Sequence, residues 1–211
     1  MVMLKKWAPG HYIEAVPDDI SLTSKAYTRL AGADGDLFAG IWIYKTWSTL
    51  EPTYHAWDWS SVYTILNWLP AGKKLAISLS WVSWDPSTLL VPCPADMVVA
   101  GSVYDGGYRA KVDNAGNPTA TLATMHMTAT MTRYLEFVAA FAKEFDNDER
   151  ISWVHTGETA YDADVRVGAY YNQTEASAQW HRLAKTFPTF FVRTVAGPTG
   201  AWWPHGNVTT N

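Results

Sequence analysis

Segments with the pattern of buried strands alternate along this chain with segments of helical periodicity. The predicted strands are residues 11–15, 37–47, 74–81, 151–155 and 189–195, and the predicted helices are 24–31, 60–69, 125–145 and 174–187. The strand at 37–47 is apolar and rich in Ile, Trp and Tyr, so we expect it to be buried on both faces. Strands that are joined by helices form parallel βαβ units, because each crossover returns the chain to the same end of the sheet. The alternation therefore predicts an α/β fold in which the loops after the strands share one edge.

Five such units are visible in 211 residues. A complete TIM-type (β/α) barrel has eight units and typically about 250 residues. We therefore expect residues 1–211 to form a single barrel-type domain with about five or six of the eight units, either truncated or completed by another chain. An open parallel sheet exposes strand edges and apolar surface, so a homo-oligomer that completes the barrel is one expectation.

The long interval between the third strand and the next helix, residues 82–123, is expected to be a functional loop because of its length. Within it, residues 108–112 and 119–122 flank the sequence DNAGN at 113–117. Polar turn residues between two short β-prone runs are typical of a hairpin. We therefore predict an antiparallel hairpin inside this excursion.

Composition excludes several classes of protein. The formal charge is −4 with 16 scattered basic residues, which gives no electrostatic surface for nucleic acid. Apolar stretches such as 135–142 end well before the roughly 18 residues of a membrane span. The single Cys93 rules out an intrachain disulfide. The N-terminus lacks the apolar run of a secretory signal, so the protein is expected to be either intracellular or already trimmed.

Aromatic residues are unusually frequent, with 12 Trp and 11 Tyr in the chain. A tryptophan-rich core is one explanation. The other is that indole rings stack on the C–H faces of sugar rings. Trp47, Trp81 and Trp84 come at or just beyond predicted strand ends, where barrel sites are built, and are the stacking candidates.

Several short motifs follow one another along the chain: WSTLEP at 47–52, WD at 57–58, GKKLAI at 72–77, FAKEFDNDERI at 141–151 and ISWVHTGET at 151–159. Together they resemble retaining glycoside hydrolases of the (β/α)8 barrel clan, such as cellulases and β-galactosidases, over roughly residues 8–195. The resemblance implies hydrolysis of O-glycosidic bonds in a β-linked oligo- or polysaccharide. It also implies that Glu158, after the fourth strand, is the general acid/base, and that neither a metal ion nor an organic cofactor is needed.

The chain departs from this family in two respects. Gly157 stands where many members of the clan have Asn, and no acidic residue follows Glu175. A retaining mechanism needs two carboxyl groups about 5–5.5 Å apart, and the family places the nucleophile on the seventh strand. Three explanations stay open: a truncated or split barrel, a role for another acid such as Asp85, or the loss of catalysis. The last would make the chain a non-catalytic carbohydrate-binding or structural module.

Further polar residues follow the predicted strands. Asp85 is expected either to bind a sugar hydroxyl or to begin a turn before Pro86. His155 and Arg193 are expected to hydrogen-bond a sugar or tune Glu158, with ordinary packing as the alternative for His155. Glu158 has its own alternative, as a loop glutamate paired with Arg166 or Arg193.

Three further acidic residues are expected to have structural roles and no part in chemistry. Glu51, before Pro52, is expected mainly to fix its loop. Asp162 and Asp164 have the spacing of metal ligands, but no third and fourth ligands stand near them in the sequence, so we expect them to cap a helix.

Overall fold

The computed structural model describes residues 5–6, 9–15, 25–84, 90–112, 115–156 and 173–197. The strands are β1 His11–Ala15, β2 Phe38–Thr46, β3 Lys74–Ser80, β4 Val82–Ser83, β5 Tyr108–Val112, β6 Pro118–Ala123, β7 Ile151–Thr156 and β8 Val195–Gly197. The helices are α1 Lys25–Ala31, α2 Trp47–Leu50, α3 Ser60–Trp68, α4 Thr128–Phe145 and α5 Gln173–Thr186. None of the helices in these ranges combines the length and apolar character of a membrane span.

The central sheet has five strands in the order β1-β2-β3-β7-β8, and every neighbouring pair is parallel. Helices connect these strands, as the alternating sequence pattern predicts. The prediction of an α/β fold with a parallel barrel-type sheet is confirmed.

The core lies between one face of this sheet and the helices. Alternate strand residues such as Ile41, Ile43, Leu75 and Ile77 are fully buried there. Their partners on the longest helix, α4, are buried and follow helical spacing: Leu135, Val138, Phe141 and Phe145. Apolar periodicity thus fixes which side of the sheet the helices cover.

The excursion after β3 carries a second sheet. Strands β4, β6 and β5 pair antiparallel in that order, and β5 and β6 form the predicted hairpin. A short 3-10 helix at Ala95–Met97 and the buried Cys93 lie against Gly107, just before β5. The excursion is therefore a structured unit with its own backbone pairing.

Two strand predictions were wrong. The fifth strand was expected at 189–195, but the chain forms a 3-10 turn at Phe187–Phe190 and the strand β8 comprises Val195–Gly197. The second strand was expected to be buried on both faces. Only one face of β2 is buried, because Ile41 and Ile43 are inaccessible whereas Trp42 and Tyr44 are half-buried.

The sheet curves strongly at its amino-terminal end. The rings of Tyr12 on β1 and Trp153 on β7 are 5.9 Å apart, although β2 and β3 lie between these strands. Three strand spacings in a flat sheet would separate them by about 14 Å. The backbone N–H of Lys6 also donates to the carbonyl of Arg193 at 2.6 Å. The amino-terminal end of the sheet is therefore nearly closed on itself.

Asp146 anchors the segment before β8. Its carboxylate accepts backbone N–H bonds from Val192, Arg193 and Thr194 at 2.7–3.1 Å. Burial alone would raise the pKa of Asp146, but these bonds outweigh burial and the pKa is lowered. The charged form of Asp146 therefore stabilises the fold.

We expect Asp146→Asn to lower the free energy of unfolding by about 1.5–3 kcal/mol at pH 7. A carboxyl group with a lowered pKa in the fold contributes stability above its unfolded pKa of about 3.9 and loses it as the pH falls through the folded pKa. The difference in free energy of unfolding between Asp146→Asn and the parent chain should therefore become smaller below about pH 4. Urea unfolding at pH 7 and pH 3 measures it, with the exposed Asp34→Asn as the control. A deficit independent of pH would contradict the assignment.

Candidate functional site

The sheet has a second face, which we call the inner face, on the side away from the helices. It is formed by alternate residues of β1, β2, β3 and β7, which share their side of the sheet through the strand register: Tyr12, Glu14, Trp42, Tyr44, Thr46, Ala76, Ser78, Ser80, Trp153 and His155. Several of its aromatic side chains are half-buried, unlike the fully buried residues on the helix side. Large rings that retain access to solvent in a concave sheet are typical of a binding surface.

The aromatic rings of the inner face form one connected group. The ring of Trp42 lies 5.9 Å from that of Trp153 and 4.9 Å from that of Tyr44. The imidazole of His155 is 5.2 Å from Trp42 and 4.7 Å from Trp153. Tyr12 meets Trp153 edge-on at 80°. The five rings come from β1, β2 and β7, and they approach one another over β3, which carries the small residues Ala76 and Ser78.

His155 lies within this group near the carboxyl end of β7, as the sequence predicted for a strand-end residue. Burial lowers the pKa of His155 to about 4, and the backbone of Thr156 opposes this effect. Its imidazole is therefore neutral at physiological pH. A neutral imidazole has one donor and one acceptor nitrogen, so it suits an uncharged polar ligand.

Trp47 and Trp81 do not belong to the inner face. Each follows its strand by one residue and is fully buried on the helix side. The ring of Trp47 packs 5.3 Å from Tyr134, and Trp81 packs 5.1 Å from Tyr134 and 5.3 Å from Trp180. The expectation that these two indoles stack on a sugar is corrected: their rings face the packed core, which leaves no open face for a ligand.

Arg193 also has a different position from that expected. It precedes β8, at the amino-terminal edge of the sheet, and its guanidinium pairs with Glu149. Loops that follow the strands lie at the opposite edge, so Arg193 cannot reach a ligand there. Trp84, in contrast, is 43% exposed just after β4.

Two predicted site residues, Glu158 and Asp85, lie outside the described residues, as do Asp162 and Asp164. The strand that leads to Glu158 is described to its end at Thr156. The Thr156 carbonyl accepts a 3.2 Å hydrogen bond from the Ser78 hydroxyl of the adjoining strand. The carboxyl end of β7 is thus fixed two residues before Glu158.

Glu51 has a structural role. It is fully buried and forms an ion pair with Arg133 of α4, which is 2% exposed. The indole N–H of Trp47 donates to Glu51 Oε2 at 2.7 Å, and the backbone N–H of His55 donates to Oε1 at 2.9 Å. Burial raises the pKa of Glu51, against these bonds and the attraction of Arg133. The pair joins the loop after β2 to the helix layer.

No three His, Cys, Asp or Glu side chains within the described ranges are close enough together to hold a metal ion. The inner face carries aromatic rings, hydroxyls, one imidazole and the carboxylate of Glu14.

The sequence interpretation missed Trp42, Tyr44, Trp153 and Tyr12. A signal was present, because Trp42 and Tyr44 alternate with Ile41 and Ile43 in the strand. Period-two alternation of aromatic and aliphatic residues indicates two different faces.

Comparisons with known proteins show similarity in fold. No protein-family model and no curated protein matches the sequence. The structure is similar to that of endo-glycoceramidase II from Rhodococcus sp., with a TM-score of 0.53 and 13% identity, covering 92% of this chain and 50% of that chain. The five-membered iminocyclitol complex of that enzyme gives the same values. Its lactosyl-enzyme intermediate has a TM-score of 0.50 and 11% identity, covering 75% of this chain and 40% of that chain.

The fold is thus of the (β/α) barrel type. The chain spans about half the length of the endo-glycoceramidase chain. Sequence identities this low show the fold alone, and the activity of a fold depends on its site.

Proposed function

We propose that this chain is a glycoside hydrolase-like protein that cleaves O-glycosidic bonds of a β-linked oligo- or polysaccharide, with Glu158 as the general acid/base. The main support is the combination of a glycosidase-like fold with a parallel strand, β7, that ends two residues before Glu158. In barrels of this type the loops after the strands carry the catalytic groups. A carboxyl group there protonates the leaving oxygen when its pKa is raised by an apolar environment.

The aromatic inner face gives further support. Tyr44, Trp153 and His155 lie along the strands that run toward the same edge, and His155 is uncharged at neutral pH. Indole rings and neutral hydrogen-bonding groups are suited to sugars, which are polyhydroxylated and uncharged. Trp84 and Asp85 follow the neighbouring strand and are proposed as additional sugar contacts.

The experiment is hydrolysis of a panel of chromogenic β-glycosides by the chain and by Glu158→Gln. A positioned general acid contributes about 10²- to 10⁴-fold to rate, so we expect Glu158→Gln to lower kcat by that factor. An aryl glycoside with a strongly acidic leaving group should be affected least, because its departure needs little protonation.

The matched control is Glu175→Gln, which makes the same chemical change on an exposed position of α5. It should retain the activity of the parent chain. Equal rates for Glu158→Gln and the parent chain would contradict the assignment of Glu158. Absence of hydrolysis by the parent chain on the whole panel would contradict the proposed activity.

The second candidate function is carbohydrate binding without turnover. It is supported by the inner face, whose aromatic rings and neutral imidazole suit a sugar ligand without taking part in its cleavage. Binding of unlabelled oligosaccharides, measured by calorimetry, without hydrolysis would identify this function.

We also propose that residues 1–211 act as one barrel-type domain whose sheet is completed through its edge strands. Val195 of β8 is 47% exposed at one edge of the described sheet. Light scattering tests the homo-oligomeric form of this proposal, and a monomer at all concentrations would contradict that form.

A further inference from the structure

Lys5 and Lys6, which precede β1, bind the segment that leads into β8. The backbone N–H of Lys6 donates to the Arg193 carbonyl at 2.6 Å. The Lys5 ammonium donates to the carbonyls of Phe191 and Thr194 at 3.1 and 3.2 Å. Strands β1 and β8 are the two edges of the described parallel sheet. The two lysines, which we call the clasp, therefore join its opposite edges at the amino-terminal end.

The side chain of Lys6 extends the clasp to the turn before β7. Its ammonium donates to the Asp148 carbonyl at 2.6 Å and to the hydroxyl of the fully buried Thr194 at 3.1 Å. Burial lowers the pKa of Lys6, against the attraction of Glu149 and Asp146. The charged form of Lys6 is thus less favourable there than in water. We therefore expect the clasp to open more readily than the packed core.

The clasp occupies the place on the β8 edge where a further strand would begin to pair. The Asp146 carboxylate already accepts the N–H groups of residues 192–194. The clasp takes the carbonyls of Phe191, Arg193 and Thr194 from the other side. A strand that extended the sheet along β8 would have to displace the clasp from these carbonyls.

The edge beyond the clasp is open and fits a second copy of this chain. Strand β8 pairs only with β7 among the described strands, and Val195 is 47% exposed. Strand β1 is the other edge of the same sheet and is parallel to its neighbour. The β1 edge of a second copy would therefore continue the sheet alongside β8 with every strand parallel. Lysine side chains on an edge are one means by which proteins prevent such edge-to-edge pairing.

We propose that the clasp guards the β8 edge, so that the β1 edge of a second copy pairs with β8 only when Lys5 and Lys6 release the segment before it. The inference rests on the proposal that the sheet is completed through its edge strands. It does not depend on glycoside hydrolysis, because the clasp lies at the end of the sheet opposite the loops that follow the strands.

The test compares self-association of the parent chain with that of the double variant Lys5→Ala with Lys6→Ala, by light scattering over a range of concentrations. The clasp variant loses bonds that stabilise only the unassociated chain. We therefore expect it to associate at a concentration about ten-fold or more lower than the parent chain.

The matched control is Lys25→Ala with Lys143→Ala, which removes two exposed lysines from α1 and α4. Each double variant changes the formal charge from −4 to −6, because two positive charges are lost. Greater like charge opposes association. Stronger association of the clasp variant alone therefore cannot result from the change in charge.

A second measurement uses the parent chain and needs no variant. At a concentration at which light scattering shows a monomer, the amide of Lys6 should exchange its hydrogen about ten-fold or more slowly than an unbonded amide, because it is bound to the Arg193 carbonyl. Circular dichroism shows whether the clasp variant is folded. If it is not, Lys5→Ala alone replaces it, since this change removes only the two bonds of the Lys5 ammonium.

The outcomes separate the clasp from the other proposals. Stronger association of the clasp variant, with the control unchanged and the Lys6 amide protected, supports the clasp. If the parent chain and the clasp variant associate equally, the clasp is overturned and completion through the edge strands stands. If both remain monomers at all concentrations, the clasp and the homo-oligomeric form are both overturned. Exchange of the Lys6 amide at the rate of an unbonded amide also overturns the clasp. The glycoside panel tests the proposed activity independently of each of these results.

Discussion

Replacing Trp81 with alanine is expected to lower the free energy of unfolding by about 3–5 kcal/mol, the usual range for removing a large buried aromatic side chain. Trp81 is fully buried, and its ring packs against Tyr134 of α4 and Trp180 of α5. Alanine would leave a cavity where β3 meets two helices, and the helices cannot collapse into it without disturbing the other contacts of α4. Urea unfolding followed by circular dichroism measures the loss.

Trp84→Ala is the matched control, because the same side chain is removed three residues later at a position that is 43% exposed. Exposed substitutions usually change stability by no more than about 0.5 kcal/mol. If Trp81→Ala instead kept its stability and lost only sugar binding, the assignment of Trp81 to the core would be wrong and its original interpretation as a sugar contact would return.

The order of strands and helices could be predicted from the sequence because apolar periodicity and turn residues act locally. The bounds of β1 were predicted without error, and α3 begins at the predicted residue 60. The α4 apolar face was also correct, because the spacing of Leu135, Val138 and Phe141 fits only a helix. Local patterns of this kind need no knowledge of the rest of the chain.

The fifth strand was misplaced because its position depends on a distant residue. The run from Phe190 to Val192 has the composition of a strand, yet the Asp146 carboxylate binds the N–H groups of residues 192–194 and holds them as a turn. The register of β8 is consequently shifted toward Gly197, and Arg193 lies at the amino-terminal edge. A side-chain-to-backbone interaction across 46 residues or more has no local signature.

The site was only partly predictable from the sequence, because successive residues of a strand face opposite sides of the sheet. Trp47 comes four residues after Ile43, and Trp81 comes two residues after Leu79. Each indole is therefore on the same, helix-covered side as that buried residue. Counting positions along each strand from its aliphatic residues would have assigned them to the core. It would equally have assigned Trp42 to the opposite face. The side of the strand on which an indole lies decides whether it faces the core, whereas its distance from the strand end does not.

Replacing Arg133 with methionine is the second large effect that we expect, a loss of about 3–5 kcal/mol in the free energy of unfolding at pH 7. Arg133 and Glu51 form a buried ion pair, and the guanidinium also lies 3.9 Å above the ring of Tyr54. Methionine fills much of the volume but leaves the Glu51 carboxylate buried without a counter-charge. The cost therefore comes from the carboxylate that remains, more than from the contacts that are lost.

The pH dependence distinguishes this cause from a simple loss of packing. Burial already raises the pKa of Glu51, and without Arg133 it rises further. A carboxyl group with a raised pKa in the fold is most favourable below its unfolded pKa of about 4.3, and it loses stability as the pH rises through the folded value. In urea unfolding, the free energy of unfolding of Arg133→Met should therefore be closer to that of the parent chain at pH 4 than at pH 7.

The double variant Arg133→Met with Glu51→Gln provides the control, because it removes the stranded charge and keeps an acceptor for the Trp47 indole. It should recover a substantial part of the loss at pH 7, since replacing both members of a buried pair is much less costly than removing one. If the double variant were no more stable than Arg133→Met, and the deficit were equal at pH 4 and pH 7, charge burial would not be the cause. The contribution of Arg133 would then be its packing against Tyr54 and the helix layer.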